Sequence, residues 1–341
     1  MKANLAFLLL ALSSGFLFGE PATLKVAVCN HVNVGSQLIP PELQKNAKKI
    51  HYLNPMWFDI LDSGKVAPRK GCEAPYADYA AFCKTNGILL LPIIRNFAPT
   101  AFLSDEAAGQ TALSEIMSLV DQENFDGILL DLESLVPKNK EGFHRFLASL
   151  TQPFRKKKKL LMVATPAHVF NGEMDLAQVA RDSDFLFAMF YDYTSGGTKR
   201  LGPTAPLRFA AYPRDVERDL KIMLDLGVPP EKIIMGVPFY GIDFSLNAEG
   251  KVAKMDTLYW SQIDRLRTAQ KGKPEWDDES KNFRFNYSDA SGTPHAVWYE
   301  DGKTLVEKMT LAKSKGLAGL GFWAITAKEN ADPEVWKKLG E

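Results

Sequence analysis

The sequence predicts a closed (β/α)8 barrel carrying a small α+β insertion between its seventh and eighth strands. Three observations predict it. Eight short apolar runs recur along the chain, helix-like segments separate them, and polar or aromatic residues gather at the ends of the fourth, sixth and eighth runs. In a parallel barrel those strand ends form the rim that carries function.

The runs are residues 24–29, 50–56, 88–94, 127–133, 160–165, 185–191, 233–238 and 318–323. Segments 105–123 and 214–226 read as helices between them, the second closed by Gly227 with Pro229 and Pro230 behind it. Phe143, Phe146, Leu147, Leu150 and Phe154 recur at helical spacing and mark another helix, whose basic end, residues 155–159, sits favourably against the helix dipole. About 80 residues separate the seventh run from the eighth, too many for one βα connection. An inserted α+β subdomain over residues 243–298 accounts for the excess, and alternating polar and aromatic residues from Phe283 to Tyr287 give it strands. The barrel itself is expected over residues 24–341.

Of 341 residues, 46% are hydrophobic and 24% charged, which excludes disorder and a membrane channel. Forty-one basic residues balance forty-one acidic ones, so no global field draws the protein to nucleic acid or an anionic membrane. The basic end at 155–159 has no interleaved aromatic residues, and no nucleic-acid partner is expected. Lys2 followed by an apolar stretch over residues 5–18 reads as a secretory leader of 19 residues, predicting a secreted or periplasmic protein. No small-x-small cleavage site accompanies it, so an uncleaved N-terminal anchor is the alternative. Cys72 and Cys83 flank a short segment that an oxidising compartment would allow to pair, leaving Cys29 a buried free thiol.

The fourth run, Phe125 to Glu133, ends an apolar strand in two acids. With side chains alternating, Ile128, Leu130 and Leu132 share one face and Leu129, Asp131 and Glu133 the other, so the two carboxyls project side by side. Such a doublet fits a tuned acid/base pair or a strand emerging into solvent. The five histidines are scattered, without the spacing a zinc site needs, and no Gly-x-Ser-x-Gly elbow is present. No cofactor and no metal is expected. A carboxylate pair among rim aromatics suits sugars, because an acid protonates a glycosidic oxygen while aromatic faces cover pyranose rings. Two acids on one strand lie on the same side of a substrate, which favours a single acid with a nucleophile borne by the substrate.

These residues resemble glycoside hydrolase family 18, the chitinase-like TIM-barrel proteins, over nearly the whole chain after the leader. Phe125 to Glu133 is similar to the family's D-G-x-D-x-D-x-E strand; Met189, Tyr191 and Asp192 match its M-x-Y-D; Gly236 to Gly241 look like its G-x-P-x-Y-G; and Trp323 matches its final-strand tryptophan. Within the family, residues 184–192 and the insertion look most like the chitobiase branch, while residues 54–57 and 202–206 are similar to the spore-cortex glucosaminidases and to the saccharide-binding chitinase-domain proteins.

The resemblance implies a retaining hydrolase of β-1,4-linked N-acetylglucosamine, acting on chitin oligosaccharides or peptidoglycan. Glu133 would be its general acid and base, and Asp131 would orient the substrate's 2-acetamido group. Tyr191 would bond that acetamide, Asp192 would support it, Met189 would pack beneath it and Trp323 would floor the subsite. Tyr240 and Trp57 would be further sugar contacts, and the peptide after Trp323 would be cis. One position departs from the pattern: Leu129 stands where the family has the first aspartate, the alternative partner of Asp131. The same resemblance therefore also admits a saccharide-binding protein with little or no turnover.

Overall fold

The computed structural model describes residues 23–31, 39–72, 76–96, 101–167, 172–194, 200–326 and 331–339. The leader expected at residues 1–19 lies outside them. Seven parallel strands, β1 (Lys25–His31), β2 (Tyr52–Ile60), β3 (Ile93–Asn96), β4 (Gly127–Leu132), β5 (Leu160–Pro166), β6 (Phe185–Met189) and β7 (Ile233–Pro238), pair in order. The last strand, Gly319–Thr326, pairs with both β7 and β1 and closes an eight-stranded barrel. Helices α1 (Pro41–Asn46), α2 (Tyr76–Asn86), α3 (Glu106–Gln122), α4 (Lys140–Lys157), α5 (Leu176–Asp182) and α6 (Val216–Asp225) alternate with these strands. The predicted (β/α)8 architecture is therefore the observed one.

Side-chain alternation sorts the apolar residues into two bodies. Ile128, Leu130 and Leu132 face outward to the helices, where Phe143, Leu147, Leu150 and Phe154 of α4 meet them in the main core. Leu129 faces inward with Cys29, Met56, Ile93, Met162 and Phe187, filling the barrel's interior. Local chemistry sets the helix ends. Asp105 accepts from the Ala108 N–H at 3.0 Å to start α3, Asp215 accepts from the Arg218 N–H at 2.9 Å to start α6, and Gly227 at φ +86° turns the chain after α6. Arg155, Lys156 and Lys157 occupy the last turn of α4.

Between β7 and the closing strand lies a second, five-stranded antiparallel sheet, β8 (Tyr240–Leu246), β9 (Val252–Tyr259), β10 (Glu275–Asp277), β11 (Asn282–Ser288) and β12 (Pro294–Tyr299), in the order β9-β8-β12-β11-β10. Helix α7 (Trp260–Ala269) belongs to it, and the chain returns through α8 (Gly302–Ser314), capped by Asp301, to the closing strand β13 (Gly319–Thr326). Beneath the return, the Lys308 ammonium is 1% exposed and pairs with Glu300 at 2.6 Å, whose other oxygen accepts from Asn282 of β11 at 2.7 Å.

The sequence leaves a link between Cys72 and Cys83 open. Cys72 and Cys83 are separate buried thiols, as is Cys29, and burial pushes the Cys83 thiol up to about 12.

Candidate active site

Strand β4 sets the site. Its alternation carries Leu129 and then Asp131 into the barrel, and the chain leaves the sheet at Glu133, whose N–H donates to the Asn96 carbonyl at 3.3 Å. Asp131 is 3% exposed, and its Oδ1 has no hydrogen-bond partner among the described residues. Glu133 stands beyond it at the open rim. Burial, and then the charge of Glu133, hold the Asp131 carboxyl far above the ordinary carboxylate range, with Arg95 opposing. Partial burial and the charge of Asp192 raise Glu133 as well, again with Arg95 opposing. Both carboxyls are thus displaced toward the protonated form, the direction a general acid requires.

The end of β6 supplies the next three groups. Met189 and Tyr191 are half-buried against the interior cluster. Gly236 of β7 makes room for the tyrosine, since a Cβ there would lie 2.9 Å from Tyr191 Cε1 and 2.6 Å from the Ala188 carbonyl oxygen. Burial raises the Tyr191 hydroxyl well above its ordinary value, keeping it a hydrogen-bond donor. Asp192 adopts a left-handed backbone, φ +61°, which turns the chain out of the strand. Its N–H donates to Thr204 Oγ1 at 3.3 Å, and its Oδ1 accepts from Thr204 at 3.4 Å and from the Tyr240 hydroxyl. Partial burial raises the Asp192 carboxyl, and those two hydroxyls counter the rise.

Trp323 lies between the interior cluster and the patch of the second sheet formed by Tyr240, Ile242 and Trp298. Its carbonyl accepts from the Phe239 N–H at 2.6 Å, and the Trp323–Ala324 peptide is cis, as the resemblance implies.

Asp131, Glu133, Met189, Tyr191, Asp192, Tyr240 and Trp323 thus gather at one end of the barrel. Trp57 does not join them. It is fully buried on the outer side of β2, with ring centroids 4.9 Å from Tyr76 and 5.1 Å from Tyr79, and is no sugar contact. The cause is a register shift between Met56 and Phe58, which leaves Trp57 and Phe58 both outside. The same shift turns Asp59 inward, where it accepts from Arg95 Nε at 2.7 Å. Arg95, Asp59 and Thr204 are site residues that sequence reasoning missed. An arginine at the end of an apolar run was the signal for the first.

The model of glycosyl hydrolases family 18 matches residues 96–327, more than half of the chain. A similar relative is the uncharacterised glycosylase YvbX of Bacillus subtilis, 26% identical over 244 residues, covering 70% of this chain and 67% of that protein. Another is the putative sporulation-specific glycosylase YdhD of the same organism, 25% identical over 242 residues, of which the match covers 56% against 70% of this chain. This chain therefore spans little more than half of some relatives' length. Among solved structures, a chitinase from Chromobacterium violaceum superposes with a TM-score of 0.78 over 92% of this chain and 98% of its own, at 22% identity, a likeness of fold. With the family's acid-ended fourth strand in place on a closed barrel and the model matched over most of it, the chain belongs to glycosyl hydrolases family 18.

Proposed function

We propose that the protein is a retaining glycoside hydrolase that cleaves β-1,4-linked N-acetylglucosamine, in chitin oligosaccharides or peptidoglycan, by substrate-assisted catalysis. The carrying observation is the placement of Asp131 among the last residues of β4 and Glu133 just past its end, one buried and the other at the rim. Acids so placed cannot stand on opposite faces of an anomeric carbon, so the attacking oxygen comes from the substrate. Glu133 gives its proton to the glycosidic oxygen as the acetamide carbonyl oxygen bonds to C1 and the C1–O bond breaks. The leaving sugar departs with that proton, and an oxazolinium ion remains. Asp131 accepts the acetamide N–H through its unpartnered Oδ1, and Tyr191 donates to the acetamide oxygen. Glu133, now ionised, takes a proton from water, whose oxygen reopens the ring at C1 with net retention. Met189 and Trp323 pack against the sugar, and Tyr240 and Thr204 hold Asp192 beside it. The names of relatives favour these substrates: one is a cortical fragment-lytic enzyme of Bacillus subtilis and another a di-N-acetylchitobiase of Rattus norvegicus. Export through the leader at residues 1–19 is part of the reading.

A saccharide-binding protein without turnover is the second reading. Leu129, which denies Asp131 a polar partner inside the barrel, is the observation that favours it. Proton NMR of the first product formed from a chitin oligosaccharide tests the mechanism. The β-anomer is expected first, and a first-formed α-anomer contradicts substrate assistance.

A further inference from the structure

Asp59, Arg95 and Asp131 form one row across three adjacent strands. The parallel register sets Asp59 of β2 opposite Arg95 of β3, and Arg95 opposite Asp131 of β4. Neighbouring strands lie about 4.8 Å apart. All three residues sit on the inward face: Ile93 and Leu129, two positions before Arg95 and Asp131, belong to the interior cluster, and Phe58 and Ile60, flanking Asp59, to the outer one. The row therefore sets one guanidinium between two carboxyl groups. Asp59 fixes the guanidinium through Nε at 2.7 Å and also faces Arg69 at 4.0 Å, so one carboxylate answers two cations and the group keeps a net positive charge. The Arg69 guanidinium also donates to the Met56 carbonyl at 3.0 Å.

We propose that Arg95, held by Asp59, is a positioning residue for the acid pair: it keeps one negative charge on Asp131 and Glu133 in a barrel where Leu129 gives Asp131 no polar neighbour. The inference rests on the proposed hydrolase reading and deepens it. Two carboxyls side by side above an apolar interior would otherwise both be displaced further toward the protonated form, and a neutral pair cannot stabilise a positive oxazolinium ion. Arg95 opposes the upward displacement of both carboxyls. Among the described residues, the other ionisable groups whose fields reach the pair or Tyr191 are Cys29 of β1, and Asp192 and Tyr240 at the β6 and β8 ends. Burial keeps the Cys29 thiol and the Tyr191 and Tyr240 hydroxyls protonated, and Asp192 adds negative charge, so none of them substitutes for the guanidinium.

The test replaces Arg95 by Met and by Lys and reads two quantities. One is the pH profile of kcat/KM on a chitobioside with a fluorescent leaving group. The other is the titration of the Asp131 carboxyl by carbon-13 NMR of aspartate-labelled protein, assigned by its loss in Asp131→Asn. Arg95→Met should move both limbs of the profile and the carboxyl titration upward by about one pH unit or more, and Arg95→Lys should return them close to wild type. A carboxyl titration unchanged in Arg95→Met, or displaced as far in Arg95→Lys, overturns the proposal. Should Arg95→Met not fold, Asp59→Asn keeps an acceptor for Arg95 while deleting the opposing charge. It should shift the titration downward, and no shift or an upward one overturns the proposal. The titration needs no turnover, so a wild-type protein that binds the chitobioside without cleaving it sinks the hydrolase reading while the carboxyl shift still decides the role of Arg95.

Discussion

Substituting Gly236 by Ala should damage the site through Tyr191, and the structure sets the scale. The added Cβ would lie 2.6 Å from the Ala188 carbonyl oxygen and 2.9 Å from Tyr191 Cε1. Carbon atoms rest at about 3.5–4.0 Å, so the ring must retreat by roughly 0.6 Å or more. The backbone cannot absorb this cheaply, because β7 is paired on both sides, Met235 to Ala188 of β6 and Gly236 to Gly321 of β13. Overpacking of this kind costs about 1–3 kcal/mol of stability. A misplacement of about 1 Å at a reacting centre costs on the order of 100-fold in rate, so a loss of roughly tenfold or more in kcat/KM is expected. Urea unfolding and hydrolysis of a fluorogenic chitobioside measure the two effects. A double-mutant cycle identifies the route: once Tyr191 is Phe, adding Gly236→Ala should cost much less activity than it does alone. Unchanged stability and kcat/KM in Gly236→Ala, or fully additive losses in the cycle, would refute the reasoning.

Asp131→Asn should stabilise the fold at neutral pH while removing activity. A carboxyl whose folded pKa is raised lets the native state hold more protons than the unfolded one, so its cost is absent below about pH 4 and grows as pH rises toward the folded value. The gain, about 1.4 kcal/mol for each unit of displacement, should appear in urea unfolding at pH 7 and vanish near pH 4. A variant no more stable than wild type at pH 7 contradicts the burial argument. Lys308→Met should destabilise by about 3–5 kcal/mol, because it strands Glu300, 6% exposed, without its cation. A midpoint within experimental error of wild type would show that this pair does not hold the return from the second sheet.

The barrel was legible because alternation and apolar runs are local properties. The inward face of Leu129 and Asp131 and the outward face of Ile128, Leu130 and Leu132 follow from period 2 alone. The third strand was placed early, at 88–94, because Pro92 has no N–H to give a ladder; only Leu89–Leu90 pairs before it, and β3 begins at Ile93. The sixth ends at Met189, before its predicted end at Tyr191, because the left-handed Asp192 carries the chain away. Trp57 misled for a different reason. Its face depends on one register shift in β2, which nothing in its neighbours' identities announces, and that shift also delivers Asp59 to Arg95. The contact of Asp192 with Thr204 and Tyr240 joins three separate segments and becomes visible only once the loops are folded.

The central claim is that Glu133 moves the proton. Release of a fluorescent leaving group from a chitobioside, compared between wild type and Glu133→Gln at matched stability, tests it most directly. The account predicts a fall on the order of 100-fold or more in the variant. Equal rates in the two proteins would contradict it.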